Sequence, residues 1–261
     1  MGQPPDPAEI FDRAAQEGQR RIDQSTLELV STGFIAGFTV VFGLIGLAVV
    51  EAMVEPEFGR VGKLAGALAF GVGFVFLVVG RAELFNENFF DPTAAAVDDD
   101  SWLVGPILRL WVLTFVFNLV GGVVFVAILS VEGALPTPAH DVLVAFAEET
   151  VARPPTVEFL RAITGGALVS LLSFLLAAVD GDGSRIALAV VVGAFLPLGP
   201  FDHVVVTLLH VAIGVFLGAP VGLAAVGETA VTVTAGNLVG GLGLVTLSHV
   251  GQALGARETG G

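Results

Sequence analysis

Seven stretches of this 261-residue chain contain no Asp, Glu, Lys or Arg, and they constrain the fold more than any other feature. Crossing the hydrocarbon core of a bilayer, roughly 30 Å thick, takes about 20 apolar residues in a helix. The stretches therefore predict an all-α integral membrane protein. They are Thr32–Val50, Leu64–Gly80, Leu110–Val131, Ala162–Val179, Ile186–Phe201, Val204–Gly227 and Thr229–Ala256.

Two of the predicted spans are interrupted. One runs from about residue 61 to 95 and contains Arg81, Glu83 and Glu87, and the other runs from 186 to 217 and breaks at residues 197–203. Counting each interrupted region as one span gives six spans, and counting the second as two gives seven. Broken helices survive in a bilayer only where they are buried in protein or line an aqueous cavity. The two breaks are therefore candidate pore segments, and the 11 residues 186–196 predict a half-helix that reaches only the midplane.

Composition excludes several other classes of protein. Hydrophobic residues make up 54% of the chain and charged residues 14%, against about 25% charged in soluble domains, so an ordinary soluble enzyme is excluded. The absence of cysteine excludes disulfides, iron–sulfur clusters and thiol catalysis. A net charge of −14 argues against nucleic acid as a partner. Because no metal-ligand cluster, catalytic triad or phosphate loop is evident, we expect neither enzyme activity nor a cofactor.

The ends of the chain are polar. Residues 6–28 are charged and lack the apolar run of a signal peptide. Ile10, Ala14, Ala15 and Ile22 suggest an amphipathic helix on the membrane surface, and a solvated leader is the alternative. The sequence thus predicts a cytoplasmic N-terminal segment at 1–30, a transmembrane channel domain at 31–254 and a tail at 255–261.

An internal repeat divides the channel domain. The sequence Phe-Asn-Leu-Val-Gly-Gly at 117–122 recurs as Gly-Asn-Leu-Val-Gly-Gly at 236–241, so 119 positions separate Asn118 from Asn237. Each copy follows an interrupted span, with 32 residues from Asn86 to Asn118 and 34 from His203 to Asn237. We interpret this as two three-span repeats, about 31–131 and 159–254, that are inverted relative to each other, an architecture that places its site near the midplane. The two asparagines are expected to pack helices together, with direct pore contact as the alternative.

His203, at the second break, is the strongest candidate for a functional side chain. Ionisable groups inside spans are costly and mark transport pathways, and the restarted helix directs its partly positive N-terminus at the midplane, which favours an anion. A buried structural histidine is the alternative. His210 lies two turns further along the same helix face and is a weaker pore candidate.

Other side chains near the breaks have two interpretations each. Arg81 and Glu83 are expected to form an ion pair that braces the first break, whereas Glu87 and Asp91 would favour cations if they formed an acidic pore mouth. Phe70 and Phe74, four residues apart, form either core packing or a hydrophobic gate.

Four motifs in order resemble the formate/nitrite transporter (FNT) family over about residues 30–252. They are Ala-Glu-Leu-Phe at 82–85, Trp111 through Phe-Asn-Leu-Val-Gly at 117–121, Phe-Asp-His at 201–203 and Gly-Asn-Leu-Val-Gly-Gly at 236–241. The segments 17–37 and 248–252 look more like the YfdC-like branch. The resemblance implies an aquaporin-like fold of six spans with broken second and fifth helices, and a homopentamer with a pore in each protomer.

The resemblance also implies roles for individual residues. His203 matches the family's central pore histidine, and Leu84, Phe85 and Asn86 match the loop beside it. Phe70, Phe74 and Leu196 match narrow slits in the pore. The chain departs from the family pattern in having Asn86 in place of Thr, Ser170 in place of Asn and Arg81 in place of a small residue, and Arg153 lies near the position of a basic residue in the family.

These observations predict a channel or channel-like transporter for small monovalent anions or weak acids in the lipid bilayer. His203 would bind the anion through a hydrogen bond and donate a proton, with Asp202 beside it. Two alternatives remain open. The same fold could select a cation or a neutral molecule through Arg81, Asn86 and Glu87, or a closed pentamer could serve as a scaffold or sensor.

The basic residues indicate an orientation. With six spans, the side of the termini holds six arginines and the other side four basic residues, which favours cytoplasmic termini. The acidic residues lie mostly outside the spans, as at 98–100, and with one lysine they resemble surfaces of proteins from salt-accumulating archaea.

Overall fold

The computed structural model describes residues 5–99 and 102–260, and every regular element in these residues is a helix. Asp100 of the acidic run, residues 1–4 of the N-terminal segment and residue 261 lie outside the described residues. The helices are α1 Pro7–Ile22, α2 Thr26–Phe58, α3 Val61–Val79, α4 Phe90–Asp98, α5 Val104–Leu129, α6 Thr137–Val151, α7 Pro155–Ala178, α8 Asp182–Leu198, α9 Val204–Phe216, α10 Leu223–Leu238 and α11 Leu247–Gly260, with a 3₁₀ turn at Phe85–Asn88 and a π-helical segment at Val239–Thr246.

Within the part of the chain that the structure describes, five helices are long and apolar enough to cross a membrane, and α9 is a shorter apolar helix. The long ones are α2, α3, α5, α7 and the continuous helix Leu223–Glu258. Their outward faces carry exposed large apolar side chains, as at Leu68, Val72 and Phe76 of α3. Exposure of so large an apolar surface to water is unfavourable, so these faces contact lipid or neighbouring protein.

The second interrupted region differs from the predicted half-helix. Helix α8 begins at Asp182 rather than Ile186, includes Pro197 and has 17 residues, so it is about 25 Å long at 1.5 Å per residue. It therefore extends from Arg185, which lines one cavity, to Pro197, which lines another, and is longer than the predicted half-helix. Pro197 near its end and His210 within α9 line the same cavity, so the chain folds back toward the interior through residues 199–203 before α9 begins.

Glycine contacts repeat between the two halves. Gly37 of α2 lies against the main-chain carbonyl of Asn118 in α5, and a Cβ atom at Gly37 would collide with it. Gly166 of α7 lies in the same way against the carbonyl of Asn237. Close approach of helix backbones requires such small residues. The corresponding helix pairs of the two repeats are therefore packed through equivalent positions.

Helix α1 packs on the bundle rather than standing free in solvent. Asp6 and Glu9 form a reciprocal capping box at its start, which satisfies two main-chain N–H groups. Its apolar face, including Phe11 and Ala14, is buried in a cluster with Phe90 of α4. The N-terminal segment is thus a folded part of the protein, placed beside the first break.

Candidate permeation site

Two cavities enter the helix bundle from different sides. The N-terminal cavity, of about 400 Å³, lies beside α1. The opposite cavity, of about 530 Å³, lies near α6 and the end of α8. Residues that line the N-terminal cavity include Arg13, Arg20, Arg21, Arg81, Glu83 and Glu87. Residues that line the opposite cavity include Glu51, Lys63, Glu149, Arg153, Arg161 and His210.

The side chains of the predicted pathway line neither cavity and are all buried. Leu84 and Asn86 are next in sequence to Glu83 and Glu87 of the N-terminal cavity, and Leu196 is next to Pro197 of the opposite cavity. Phe70 and Phe74 contact each other with their ring centroids 5.6 Å apart. The buried set consists of Phe70, Phe74, Leu84, Phe85, Asn86, Ser170, Leu196 and His203.

His203 caps the N-terminus of α9. Its ring is 1% exposed, and Nδ1 accepts a hydrogen bond from the Val206 main-chain N–H at 3.4 Å. A neutral imidazole whose Nδ1 accepts carries its proton on Nε2. Nε2 is buried and has no hydrogen-bond partner. The second break therefore presents one unpaired N–H donor in the interior.

Asn237 connects both breaks through all of its hydrogen-bonding positions. Its Oδ1 accepts from the Val204 main-chain N–H at 2.8 Å and from Asn86 Nδ2 at 2.7 Å. Its Nδ2 donates to the Ala162 and Asp202 carbonyls at 2.7 and 2.8 Å. An amide has two donors and two acceptor lone pairs, so Asn237 is fully satisfied.

Asn118 holds the first break in the same manner. Its Oδ1 accepts from the Phe85 main-chain N–H at 3.0 Å, and its Nδ2 donates to the Gly33 and Glu83 carbonyls at 2.9 and 2.8 Å. Phe85 and Glu83 thus correspond to Val204 and Asp202 in the second break. The position equivalent to His203 in the first repeat is consequently Leu84. The sequence suggested Asn86 as that position, which is two residues too far along the chain.

Asp202 is paired with two arginines that line the opposite cavity. Its carboxylate accepts from Arg161 Nε at 2.9 Å and from Arg153 Nη1 at 3.1 Å. Asp202 is 6% exposed. Two further acids lie near these arginines: Glu149 Oε1 is 4.0 Å from Arg153 Nη2, and the buried Glu158 interacts electrostatically with Asp202 and Arg153. The sequence identifies Asp202 and Arg153 as separate candidates. It does not predict the contact with Arg161, which lies 41 positions from Asp202.

Glu83 is paired with α1 rather than with Arg81. Its Oε1 accepts from Arg20 Nη2 at 3.2 Å, and its Oε2 lies 3.5 Å from Arg21 Nε. Arg81 instead lies exposed on the N-terminal cavity with a φ of 51°, a left-handed conformation that is uncommon for a residue other than glycine. The predicted Arg81–Glu83 ion pair is therefore not formed among the described residues, because Glu83 is buried against Arg20 and Arg21 whereas Arg81 is exposed.

Acidic side chains outnumber the arginines around Arg21. Arg21 Nη2 lies 3.3 Å from Asp91 Oδ2, and its Nη1 donates to the main-chain carbonyl of Glu87 at 3.0 Å. Glu87 Oε1 is buried without a partner. At the rim, burial would raise the pKa of Glu17, but hydrogen bonds and charges from Arg20 and Arg21 outweigh it and lower that pKa to about 2.

Ser170 lies behind the first break. Its hydroxyl is fully buried and donates weakly to the Asn86 carbonyl at 3.4 Å. The neighbouring Ser173 donates to the Glu87 carbonyl at 3.0 Å. Both hydroxyls thus satisfy backbone acceptors of the 3₁₀ turn, as buried irregular backbone requires.

Comparisons with known proteins agree with this architecture. A family model described as formate/nitrite transporter matches residues 8–251. A probable formate transporter of Methanothermobacter thermautotrophicus is 29% identical over 234 residues, which cover 82% of this chain and 84% of that protein. An FNT family ion channel has a TM-score of 0.81 at 20% identity, covering 92% of this chain and 97% of that one. A pentameric formate channel with formate bound has a TM-score of 0.72 at 18% identity, covering 86% and 96%.

These likenesses confirm the all-α membrane fold that the charge-free stretches predicted. The family match covers nearly the whole chain, including both breaks and both asparagine motifs. The protein is a multi-pass membrane protein that belongs to the formate/nitrite transporter family.

Proposed function

We propose that this protein conducts small monovalent anions of weak acids, such as formate or nitrite, through a pore in each protomer of a homopentamer. Family membership supports the activity, and the similarity to a pentameric formate channel supports the assembly. The path runs from the N-terminal cavity to the opposite cavity past the buried side chains around His203.

The unpaired Nε2–H of His203 is the observation that carries this proposal. A small anion that leaves water must find a replacement for its hydration, and a buried donor with no partner supplies it. The N-terminus of α9 adds partial positive charge at the same place. His203 therefore acts as a neutral hydrogen-bond donor to the anion.

Proton donation by His203 requires a further step. For the Nε2 proton to pass to the anion without leaving an imidazolate, Nδ1 must first take up a proton from solvent, which removes its bond to the Val206 N–H. The α9 cap would then open during each such event. Hydrogen bonding without proton transfer leaves the cap intact, and it is the mode that this geometry favours.

Two substitutions of His203 test its Nε2 hydrogen-bond donor and its role as the cap of α9 separately. Asn at position 203 keeps an oxygen that can cap α9, because Asn is a good N-cap residue, but it does not reach as far as Nε2. Gln places an amide donor near the Nε2 position. We expect formate flux into liposomes to fall at least tenfold in His203→Asn and to be partly retained in His203→Gln. Equal flux in His203→Asn and wild type would refute the mechanism, and a wild type that conducts neither formate nor nitrite would refute the function.

A cation pathway is the second candidate, and the buried acids of the N-terminal cavity favour it. Glu87 Oε1 and Asp91 Oδ1 have no partner, and Glu83, Glu87 and Asp91 together outnumber Arg20 and Arg21. Acidic pore mouths attract cations. Reversal potentials in a salt gradient distinguish the two candidates, because their sign reports the charge of the permeant ion.

The arginines indicate the orientation of the protein. Arg13, Arg20, Arg21, Arg81 and Arg185 all line the N-terminal cavity, on the side of the termini. By the positive-inside rule this side faces the cytoplasm. Accessibility of a tag after α11 to protease in intact cells, compared with lysed cells, tests this orientation.

A further inference from the structure

His210 is a buried histidine that the proposed pathway does not use. It lies seven residues beyond His203, about 10 Å along α9 at 1.5 Å per residue. Its ring is 2% exposed, and Nε2 is buried without a hydrogen-bond partner. The side chain belongs to the lining of the opposite cavity. A buried polar atom beside a cavity is a group that a bound molecule can satisfy.

Aromatic stacking fixes the His210 ring in place. Phe146 of α6 stacks on it with centroids 3.4 Å apart and planes within 6°. The guanidinium of Arg153 lies over the Phe146 ring, 6.0 Å from its centroid. Because Phe146 and Arg153 also line the cavity, an imidazole, an aromatic face and a guanidinium group border one space.

The charged side chains of this cavity differ in exposure. The side chains of Arg153 and Arg161 are 12% and 28% exposed and share the carboxylate of Asp202, and Arg153 Nη2 also lies 4.0 Å from Glu149 Oε1. The side chains of Asp141 and Glu149 are 75% and 71% exposed. Solvent screens exposed charges more than buried ones. The Arg153 guanidinium is therefore screened less than the exposed carboxylates around it and can attract a small anion within the cavity.

We propose that His210 and Arg153 form a second binding station, for a small monovalent oxyanion of a weak acid, in the opposite cavity. This rests on the proposed function, since the station would serve the same permeant anion on its way to or from His203. His210 Nε2–H donates to one oxygen of the anion, and the Arg153 guanidinium supplies positive charge. Phe146 holds the imidazole in position and excludes water from one face.

Direct binding tests the station without requiring conduction. The chain has four histidines, so ¹⁵N-histidine-labelled protein in nanodiscs gives few imidazole signals, and His210→Phe assigns the one of interest. Sodium formate is titrated against sodium chloride at constant ionic strength. We expect the His210 Nε2 signal to shift with saturation. A signal that stays fixed across the titration means that water alone occupies the site and overturns the proposal.

Flux measurements give an independent readout with a matched control. His210→Phe keeps a ring that can stack on Phe146 but removes the N–H donor. His249→Phe is the control, because His249 also stacks on a phenylalanine, Phe174, at 3.7 Å and 10°, and borders neither cavity described above. Loss of a hydrogen bond to a charged group corresponds to about tenfold in affinity.

We therefore expect the formate concentration for half-maximal flux to rise about tenfold in His210→Phe and to stay within twofold in His249→Phe. An unchanged value in His210→Phe overturns the station even if the channel conducts. If the wild type conducts nothing, the proposed function fails, and the nanodisc titration alone decides whether the station exists.

Discussion

Asn86 donates its side-chain amide to Asn237 Oδ1 across 2.7 Å, and this bond joins the break of the first repeat to the asparagine motif of the second. The same oxygen accepts the Val204 N–H at the start of α9. His203 directly precedes Val204. Its position therefore depends on Asn237, which lies 151 positions from Asn86 along the chain. The two breaks form one structural unit.

Replacement of Asn237 by alanine should destabilise the protein much more than replacement of Asn86. Asn237→Ala leaves the Val204 N–H and the carbonyls of Ala162 and Asp202 without their partner, and each such buried group costs about 1–3 kcal/mol. Asn86→Ala leaves the Asn237 oxygen with one remaining donor. We expect a loss of at least about 3 kcal/mol for Asn237→Ala and about 1 kcal/mol for Asn86→Ala. Thermal unfolding in nanodiscs measures both, and equal shifts would contradict this account.

Close helix packing in the second repeat predicts a sharp contrast between two glycines. A Cβ atom at Gly240 would collide with the Ile163 carbonyl, whereas one at Gly243 meets nothing within 4 Å. We expect Gly240→Ala to lower the unfolding temperature by several degrees or to prevent assembly, because backbone rather than a flexible side chain must move.

Gly243→Ala should be neutral or slightly stabilising, since alanine favours the helix. Size-exclusion chromatography after heating compares the two variants. Similar survival of the folded fraction in both would show that the α7 contact does not limit stability.

The sequence predicted the spans and the two breaks because lipid forbids charge and unpaired backbone, so both leave a direct mark on composition. It also predicted that the asparagine motifs belong to a repeat. The correct register was present as an equal separation of 34 residues, from Leu84 to Asn118 and from His203 to Asn237. The chemical types of the side chains conceal this register, because the residue that corresponds to His203 is the apolar Leu84 rather than the polar Asn86.

The ion pairs could not be predicted from the sequence. Arg20 and Glu83 are 63 positions apart, and Arg161 and Asp202 are 41 apart. No periodicity connects such positions, since contact depends on how α1 and α7 pack against the breaks. Proximity in sequence suggests an Arg81–Glu83 pair, but Glu83 is buried against Arg20 and Arg21 of α1 and Arg81 is exposed.

Docking of α1 should weaken at low pH. The pKa of Glu17 is lowered to about 2 from an ordinary value of 4.5, so its ion pairs with Arg20 and Arg21 contribute fully above about pH 4.5 and are lost as the pH falls toward 2. Glu17 is partly exposed, which limits the effect of this one group.

Hydrogen exchange of α1 amides measures this docking. We expect protection to be constant between pH 7 and 5, after correction for intrinsic exchange rates, and to decline below 4.5. Glu17→Gln should reduce protection at pH 7 and remove part of the decline. Loss of protection that begins above pH 6 would point to another titrating group.

Removal of the Asp202 carboxylate should strengthen anion preference. Asp202→Asn leaves both Arg153 and Arg161 without their shared counter-charge, so the net charge beside the opposite cavity rises by one. The main-chain carbonyl that binds Asn237 is retained. We expect a reversal potential closer to the anion equilibrium value. We also expect a lower unfolding temperature, because Arg161 loses its carboxylate partner and Arg153 keeps only the more distant Glu149.

Arg161→Gln is the matched variant, since it leaves Asp202 paired with Arg153 and lowers the positive charge by one. Its reversal potential should shift in the opposite direction. If both variants shift in the same direction, the charge of this cavity does not set ion selectivity.

High salt should stabilise the folded protein. The net charge is −14, and exposed acids such as Glu57, Glu132 and Glu148 repel one another across the wetted surface. The screening length falls from about 10 Å at 0.1 M salt to about 3 Å at 1 M, so the unfolding temperature should rise over this range of KCl and then level off. The variant with all three acids changed to Gln should be more stable at 0.1 M and gain less from salt. A rise that continues in proportion to salt above 1 M, equally in both proteins, would indicate a general effect of salt on apolar burial rather than screening of these acids.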